Sequence, residues 1–275
     1  MNKEVLQELL KVINKQDVLK GRKLADVSLV GSRVAYPTLV TEISDYDVNI
    51  IYVPNKYDYF GGSLGDSHFT KDFARKFEVV VDNKTLDVDV KFEPVNKFLG
   101  SLNQLRLNTL HVLSNINWDL GFEEMFHTEI KNIFTELKKL DKSEFMVLSE
   151  HSYTSYMGYI VQRTKSTRKM LDNDNLERAN KEYAHALRVF NLYLALLEKD
   201  VVKFKNTLVV NKDTEHLYVR THGKDELEEL LAVLLSDFSK HNNLKHLVKS
   251  VGVDELVAFK ELTKSFEMKV FNALF

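Results

Sequence analysis

Two aspartates, Asp45 and Asp47, are separated by one residue in an otherwise apolar stretch, and they are the side chains of this chain best suited to chemistry. In an extended strand from Ser44 to Val53, alternate side chains share a face, so both carboxylates could hold the same divalent cation. The Gly31-Ser32 pair ends the preceding apolar run, and a glycine lets backbone approach a phosphate closely. A phosphate-binding turn beside metal-binding carboxylates is the combination that phosphoryl or nucleotidyl transfer requires.

The flanking pattern predicts the elements that hold these residues. Apolar residues at helical spacing predict a first helix over Lys3 to Leu19. Residues 55–76 are rich in glycine and aromatic side chains, and we expect a long loop or flap there. A further helix is predicted from Val95 to Leu113.

A β-hairpin is predicted between the loop and that helix. Two alternating runs, Lys76–Val81 and Leu86–Phe92, flank the turn residues 82–84. The apolar side chains of the second run face the core, so Asp87 and Asp89 both lie on its other face. They are either further site residues or strand-edge charges that discourage aggregation.

Strand patterns fade after residue 143, and long helical patterns follow. One of these helices is predicted from Glu177 to about Lys199, and short extended segments are expected only between Thr207 and Thr221. We therefore expect an α+β fold. Residues 1–140 would form a domain with a mixed sheet and helices, and residues 141–275 an all-helical C-terminal domain.

Three basic residues of the helix that begins at Glu177 share one face. Lys181, His185 and Arg188 are spaced four and three apart, and apolar residues occupy the opposite flank. Such a face is either simply solvated or turned toward an anionic ligand. The spacing alone does not distinguish these interpretations.

Composition narrows the class of protein. A formal net charge of −2 argues against a protein that coats nucleic acid regardless of sequence, although a local basic groove is compatible with it. The chain has no cysteine, which excludes disulfides, thiolate zinc sites and cysteine nucleophiles. No apolar run approaches the roughly 18 residues of a membrane span, and the N-terminus opens a charged amphipathic segment. We expect a cytoplasmic protein with no membrane partner.

The string Gly31-Ser32-Arg33, followed after a spacer by Ser44-Asp45-Tyr46-Asp47, resembles the signature of the DNA polymerase β-type nucleotidyltransferase superfamily. It is most similar to the RlaP-like branch, which is associated with RNA-repair operons and is frequent in phages and bacteria. The resemblance covers about residues 25–98 and, more loosely, 152–199. It extends faintly to Leu217-Tyr218-Val219-Arg220, where the family often has an apolar stretch with arginine before its last helices. The chain departs from this branch after Arg33, where Val34-Ala35-Tyr36-Pro37 stands, and at Asn49, where the branch usually has arginine.

The resemblance implies a metal site of three carboxylates and an N-terminal polymerase β-like fold. Asp45 and Asp47 would bind Mg²⁺ or Mn²⁺ together with a third acid on a neighbouring strand. Asp89 is preferred over Asp87 for this position, because it lies deeper in its strand and keeps better register with Lys97. Asp87 stays the alternative.

The resemblance also implies which residues bind the nucleotide. Gly31 and Ser32 would orient the phosphates of a nucleoside triphosphate. Arg33 would either contact the phosphates or pair with one of the aspartates. The basic helical face of Lys181, His185 and Arg188 would look toward the triphosphate or the acceptor.

The implied activity is two-metal transfer of a nucleoside monophosphate from a nucleoside triphosphate to an acceptor hydroxyl, with release of pyrophosphate. The expected acceptor is an RNA 3′ end, such as that of a tRNA. The alternatives are transfer of AMP to a protein, as in antitoxin-like members of the superfamily, and a nucleotide-binding module without catalysis. The base, the acceptor and the oligomeric state are not encoded in any pattern that we recognise.

Overall fold

The computed structural model describes residues 2–37, 39, 45–59, 67–115, 117–148, 150–242 and 253–274. Ser44 and the glycines of the predicted flap (Gly61, Gly62 and Gly65) lie outside the described residues. The described strands form one mixed sheet in the order β1-β2-β4-β3, with bounds β1 Leu24–Val30, β2 Tyr46–Tyr52, β3 Phe73–Val81 and β4 Lys84–Pro94.

The predicted hairpin is confirmed as β3 and β4. Its turn residues Asp82 and Asn83 have φ values of 49° and 61°, as the two-residue turn of a right-twisted hairpin requires. β4 then runs parallel to β2, while β1 runs antiparallel to β2 on its other side. The strand that carries the aspartates is therefore central in the sheet.

The N-terminal helix α1 (Asn2–Lys15) covers one face of this sheet. Its apolar residues at helical spacing are all buried: Val5, Leu6, Leu9, Leu10 and Ile13. They pack in one cluster with the inward side chains of β2, namely Tyr46, Val48, Ile50 and Tyr52, none of which is more than 1% exposed. Because side chains alternate along β2, the aspartates lie on the other face of the sheet.

The face of the sheet that carries the aspartates at one end is covered elsewhere by three helices. These are α3 (Val95–Asn103), α4 (Leu107–Leu113) and α5 (Thr128–Lys139). The prediction of one helix from Val95 to Leu113 was wrong, because the chain turns at Leu105, which has a φ of 51°. Leu105 is 1% exposed. Its burial outweighs the backbone cost of a left-handed leucine, and the turn lets both short helices lay apolar residues on the core.

A buried ion pair fixes α5 to β1. Lys138 Nζ lies 2.6 Å from Asp26 Oδ1 and donates to Ser28 Oγ at 2.8 Å. All three residues are less than 9% exposed. Because a buried charge is costly unless it is paired, this contact holds the strand that leads into Gly31 at a defined depth.

The described elements after residue 148 are helical, with bounds α6 Glu150–Asp172, α7 Leu176–Glu198, α8 Val201–Leu208, α9 Lys224–Asn242 and α10 Val253–Leu274. The helix predicted from Glu177 to Lys199 is thus confirmed as α7. The expected extended segments between Thr207 and Thr221 are replaced by the end of α8 and a 3₁₀ turn. The α+β fold, a mixed sheet followed by a helical part, is confirmed.

The division into domains at residue 140 stays a prediction. One continuous cluster of buried apolar side chains includes members of α3, α4 and α5 as well as of α6 to α10. Among the residues that the structure describes, no helix combines the length and the apolar character needed to cross a membrane.

Candidate active site

The three predicted acids lie at one end of the central strands. Asp47 of β2 is in register with Asp89 of β4 on one side and with Val30, the last residue of β1, on the other. Asp45 immediately precedes β2 and falls on the same face by alternation. Asp87 lies beyond the part of β4 that pairs with β2. The parallel register therefore brings Asp89, rather than Asp87, level with Asp47.

The turn after β1 needs a glycine, and the reason is the carboxylate of Asp47. Gly31 has a φ of 67° and a ψ of −144°, a backbone region that is essentially restricted to glycine. A Cβ at this position would lie 3.1 Å from Cγ of Asp47 and closer still to its Oδ2. The single-turn helix α2 (Ser32–Ala35) follows at once. The Gly31 turn and the Asp47 carboxylate are therefore packed directly against each other.

Asp47 is held where its negative charge is unfavourable. Burial raises the pKa of Asp47 above its ordinary value of 3.8, and the charges of Asp45 and Asp89 raise it further. Lys181 and Arg33 act in the opposite direction without reversing the shift. The side chains of Asp45 and Asp89 are 72% and 47% exposed, so the group opens to solvent on one side.

Two lysines approach the acids from different elements. Lys181 Nζ of α7 lies 3.8 Å from Asp45 Oδ2, and Lys76 Nζ of β3 lies 3.4 Å from Asp89 Oδ1. The two lysine side chains are 44% and 80% exposed. Exposed pairs of this kind contribute little to stability, so either lysine can exchange its carboxylate for an anionic ligand.

The basic face of α7 meets the sheet-bearing part of the chain at Tyr36, just beyond α2. The buried Tyr36 hydroxyl donates to the carbonyl oxygen of Ala184 at 3.0 Å, and its ring meets His185 edge-on at 5.2 Å. Burial raises the pKa of Tyr36 to about 12. Burial, followed by nearby arginine charges, holds the pKa of His185 well below its ordinary value. His185 is therefore neutral at pH 7 and supplies no positive charge to a phosphate.

Arg188 is 1% exposed, and two of its three guanidinium nitrogens contact protein acceptors, while Nε has no hydrogen-bond partner among the described residues. Nη1 donates to the carbonyl oxygens of Thr207 and Leu208 at 3.3 and 3.2 Å, and Nη2 lies 3.1 Å from Nε2 of His111. Burial holds the pKa of His111 well below its ordinary value, so its neutral ring can accept this hydrogen bond. A direct contact of Arg188 with a triphosphate is not supported by this position.

Arg33 is also largely buried, at 8% exposure. Its guanidinium lies over the ring of Tyr46 at 3.4 Å, and its Nε donates to the carbonyl oxygen of Asp45 at 3.2 Å. Burial lowers the pKa of Arg33, although the neighbouring Asp45 and Asp47 favour its charged form. Of the two roles left open by the sequence, this placement favours support of the strand that carries the acids.

Asn49 lies on the same face of β2 as Asp47, at a position that is covered by protein. This residue is 3% exposed, and its Nδ2 donates to Glu93 Oε2 at 3.2 Å. Glu93 also lies 3.3 Å from Lys91 Nζ and accepts from Ser101 Oγ at 3.4 Å. Asn49, which stands where the RlaP-like branch usually has arginine, thus contacts other protein groups and links β2 to β4 and α3.

The donor chemistry of the three acids fits a hard divalent cation, because Mg²⁺ and Mn²⁺ prefer carboxylate oxygens. Their mutual repulsion at Asp47 is also what a cation would relieve. Within the described ranges, however, no three or more histidine, cysteine, aspartate or glutamate side chains are gathered closely enough to hold a metal ion. Metal binding by Asp45, Asp47 and Asp89 therefore stays a proposal.

Three residues outside the predicted set contact this region: Tyr36, Lys76 and Arg220. Tyr36 joins the turn to α7, Lys76 pairs with Asp89, and the Arg220 guanidinium lies 4.5 Å from the centre of the Tyr36 ring. The cross-strand position of Lys76 follows from the hairpin register, so that signal was present in the sequence. The stretch that ends in Arg220 resembles the family pattern, but its contact with Tyr36 joins residues that are far apart in the chain and does not follow from the sequence.

Comparisons with known proteins add little to this geometry. No protein-family model matches the chain, and no curated protein matches it in sequence. Among solved structures, a nucleotidyltransferase-like protein from Exiguobacterium sibiricum 255-15 is similar, with 12% identity and a TM-score of 0.32. The match covers 87% of this chain and 76% of that one. At that identity and TM-score the likeness decides nothing about function.

Replacing Gly31 by alanine tests the packing of the turn against Asp47. The variant must adopt a glycine-only backbone and displace a carboxylate, so we expect the free energy of unfolding in urea to fall by about 1–3 kcal/mol. Gly100→Ala is the matched control, since that glycine lies in α3 with open space around its Cα, and it should be neutral or slightly stabilising. Wild-type stability in Gly31→Ala would contradict the packing described here.

Replacing Asp47 by asparagine tests the unfavourable charge. Because the folded pKa of Asp47 is raised, the native protein binds more protons than the unfolded chain above pH 4, and stability falls as pH rises through that window. The Asp47→Asn variant does not lose stability in this way. In metal-free buffer its melting temperature at pH 7 should therefore be higher than that of wild type, and the difference should disappear near pH 4. Asp87→Asn controls for the removal of one negative charge. A variant that melts below wild type at pH 7 would show that the Asp47 charge is stabilising.

Proposed function

We propose that this protein is a metal-dependent nucleotidyltransferase that transfers a nucleoside monophosphate from a nucleoside triphosphate to an RNA 3′ end. One observation carries the proposal: the parallel register of β2 and β4 aligns Asp47 with Asp89, next to Asp45 and against the Gly31 turn. The half-buried carboxylate of Asp47, which Asp45 and Asp89 repel, reduces stability. Such a cost is typical of residues that are retained for a ligand.

In this proposal the acids hold Mg²⁺ or Mn²⁺, which when bound neutralises phosphate charge and makes the acceptor hydroxyl more acidic. Asp45 and Asp47 face the triphosphate, and Asp89 faces the acceptor. The backbone of Gly31 and the hydroxyl of Ser32 orient the phosphates. Neutral His185 and buried Arg188 act as positioning residues, because both contact protein groups that fix Tyr36 and α7.

The proposed reaction is an in-line displacement at the α-phosphorus. The acceptor hydroxyl oxygen forms the new bond to this phosphorus, and its proton passes to water at the solvent-open side of Asp89. The bond from the α-phosphorus to the bridging oxygen breaks, and pyrophosphate leaves with the electron pair. Lys181 lies beside Asp45, where its positive charge can offset the charge that develops on pyrophosphate.

The exposed face of α6 favours RNA as the acceptor. Between residues 151 and 171 the sequence contains four cations and no acidic residue, in a chain whose net charge is −2. Three of these cations are exposed, Lys165, Arg168 and Lys169, and within the described residues none of them has an ion-pair partner. Helical spacing puts them on one side of a helix of 23 residues, about 35 Å long. We call this surface the α6 basic face.

The helix that carries the α6 basic face packs against α7, which approaches the acids through Lys181. The fourth cation, Arg163, bonds Glu182 of α7 at 2.7 Å and stacks on Tyr159, while Tyr159 in turn acts on the pKa of Tyr36. In this proposal a polyanionic strand bound along the face leads toward α7, the helix whose Lys181 Nζ lies 3.8 Å from Asp45 Oδ2. A protein acceptor has no comparable need for unpaired cations. Transfer of AMP to a protein is thus the second candidate, and a non-catalytic nucleotide-binding module is the third.

Incubation with α-labelled nucleoside triphosphates, Mg²⁺ or Mn²⁺ and either total RNA or total protein tests the proposal. We expect label in RNA, and we expect the Asn variants of Asp45, Asp47 and Asp89 to lose at least about 100-fold in rate, because each removes a ligand charge. Asp87→Asn is the matched control on the same strand and should keep most activity. Label in polypeptide would favour the second candidate.

If Asp87→Asn abolishes transfer and Asp89→Asn does not, the third acid has been assigned to the wrong residue. If no label is transferred under any condition, while a nucleoside triphosphate still binds, the third candidate is favoured.

Charge reversal tests the α6 basic face. The triple variant Lys165→Glu, Arg168→Glu and Lys169→Glu should weaken RNA binding and lower the salt dependence of log Kd by roughly two units, since each lost phosphate contact removes about 0.7. Binding of the nucleoside triphosphate should not change. A triple variant of equal charge change, at Lys139, Lys260 and Lys264 on α5 and α10, is the control. Equal RNA affinity in the two triple variants would exclude the α6 basic face as the acceptor site.

A further inference from the structure

Around Tyr36 the helical part gathers more positive charge than the carboxylates of the described residues neutralise. The guanidinium groups of Arg188 and Arg220 lie 5.2 and 4.5 Å from the centre of the Tyr36 ring. Within the described part of the chain, neither arginine forms an ion pair with a carboxylate. The charge on Arg188 is met by backbone carbonyl groups, as described above. The charge on Arg220 is not met in this way.

Arg220 has two buried nitrogen atoms, Nε and Nη2, with no hydrogen-bond partner among the described residues. These two atoms form one edge of the guanidinium, on which two parallel N–H groups point in the same direction. This edge binds phosphate or carboxylate oxygens in a bidentate manner. The ring of Tyr36 fixes the plane of the group but offers no acceptor to the edge.

A buried guanidinium edge without an acceptor is costly, and proteins rarely leave such groups unsatisfied. An anionic ligand with paired oxygens would satisfy it. Lys181 lies one helical turn before His185 on α7, and the His185 ring meets the ring of Tyr36, against which Arg220 lies. Lys181 Nζ is in turn 3.8 Å from Asp45 Oδ2. Tyr36 thus connects Arg220 to the face of α7 that approaches the acids through Lys181.

We propose that Arg220 is a bidentate anchor for the terminal phosphates of the nucleoside triphosphate and for the pyrophosphate product. The inference rests on the proposed function. It adds a binding residue from the segment after α8, held in place by Tyr36. The triphosphate would then lie between the acids at its α-phosphate and Arg220 at its far end. A monophosphate bound at the acids lacks the terminal phosphates that Arg220 would hold.

Calorimetric titration in the presence of Mg²⁺ tests the anchor, with ATP, AMP, pyrophosphate and inorganic phosphate as separate probes. Arg220→Gln should weaken ATP and pyrophosphate binding by about tenfold or more, as expected for loss of a charged bidentate contact. Binding of AMP should change less than about twofold. Arg220→Lys should recover only part of the affinity, because an ammonium group cannot form the fork. Arg178→Gln, an exposed arginine on α7, is the matched control and should bind all probes as wild type does.

Unchanged ATP and pyrophosphate affinity in Arg220→Gln would overturn the inference, as would an equal loss for AMP. If Arg220→Gln does not fold, the Nε–Hε signal of Arg220 in nitrogen-edited NMR of the wild-type protein decides. A shift of this signal on addition of pyrophosphate with Mg²⁺ supports the anchor, and no shift overturns it.

Failure of the Arg220 anchor and failure of the proposed function give different results. Label transfer that is insensitive to Arg220→Gln would leave the function standing without the anchor. Pyrophosphate binding through Arg220 without any transfer would leave a polyphosphate-binding site without the reaction.

Discussion

The packing of the Asp47 carboxylate against the backbone of Gly31 is the contact on which the site depends. It requires a backbone conformation that only glycine adopts readily, and it places a half-buried negative charge between two others. The surrounding structure holds this arrangement in place. α1 anchors the apolar side of β2, the Lys138–Asp26 pair fixes the depth of β1, and the register with β4 sets the position of Asp89. A rigid sheet end therefore presents charges that would otherwise move apart.

The helical part supplies the opposite charge through a different arrangement. Tyr36 inserts between α7 and the segment after α8, and the basic groups gather around its ring. Burial keeps His185 neutral, and Arg188 donates through Nη1 to backbone carbonyl groups, so among the described residues of this part we assign the ligand to Lys181 and Arg220 as a proposal. The acids at the sheet end and these cations complement a metal-bound triphosphate, which carries both signs of charge. This complementarity is why we favour nucleotidyl transfer over a purely structural role for the acids.

Local patterns predicted the parts of the fold that depend on local periodicity. The alternation in β2, the hairpin turn at Asp82 and Asn83, and the extent of α7 were all confirmed. The preference for Asp89 over Asp87 agrees with the observed strand register, although its role stays a prediction. The break at Leu105 could not be predicted, because a left-handed leucine is favoured only by burial that the tertiary structure provides.

The relative roles of residues on one helical face were also beyond the sequence. Spacing put Lys181, His185 and Arg188 on one side of α7, but it did not tell which of them would be covered. That outcome depends on Tyr36, His111 and the end of α8, all distant in the chain. The unsatisfied edge of Arg220 likewise becomes visible only when its surroundings are known.

The most direct test of the acid site is paramagnetic broadening of backbone amide signals during a Mn²⁺ titration, with a non-hydrolysable nucleoside triphosphate present. A site at these carboxylates predicts that signals from residues 31–33, 45–48 and 88–90 disappear first, and that Asp47→Asn abolishes the effect. Broadening that centres on another part of the chain, or that persists unchanged in Asp47→Asn, would contradict the assignment of Asp45, Asp47 and Asp89 as the metal site.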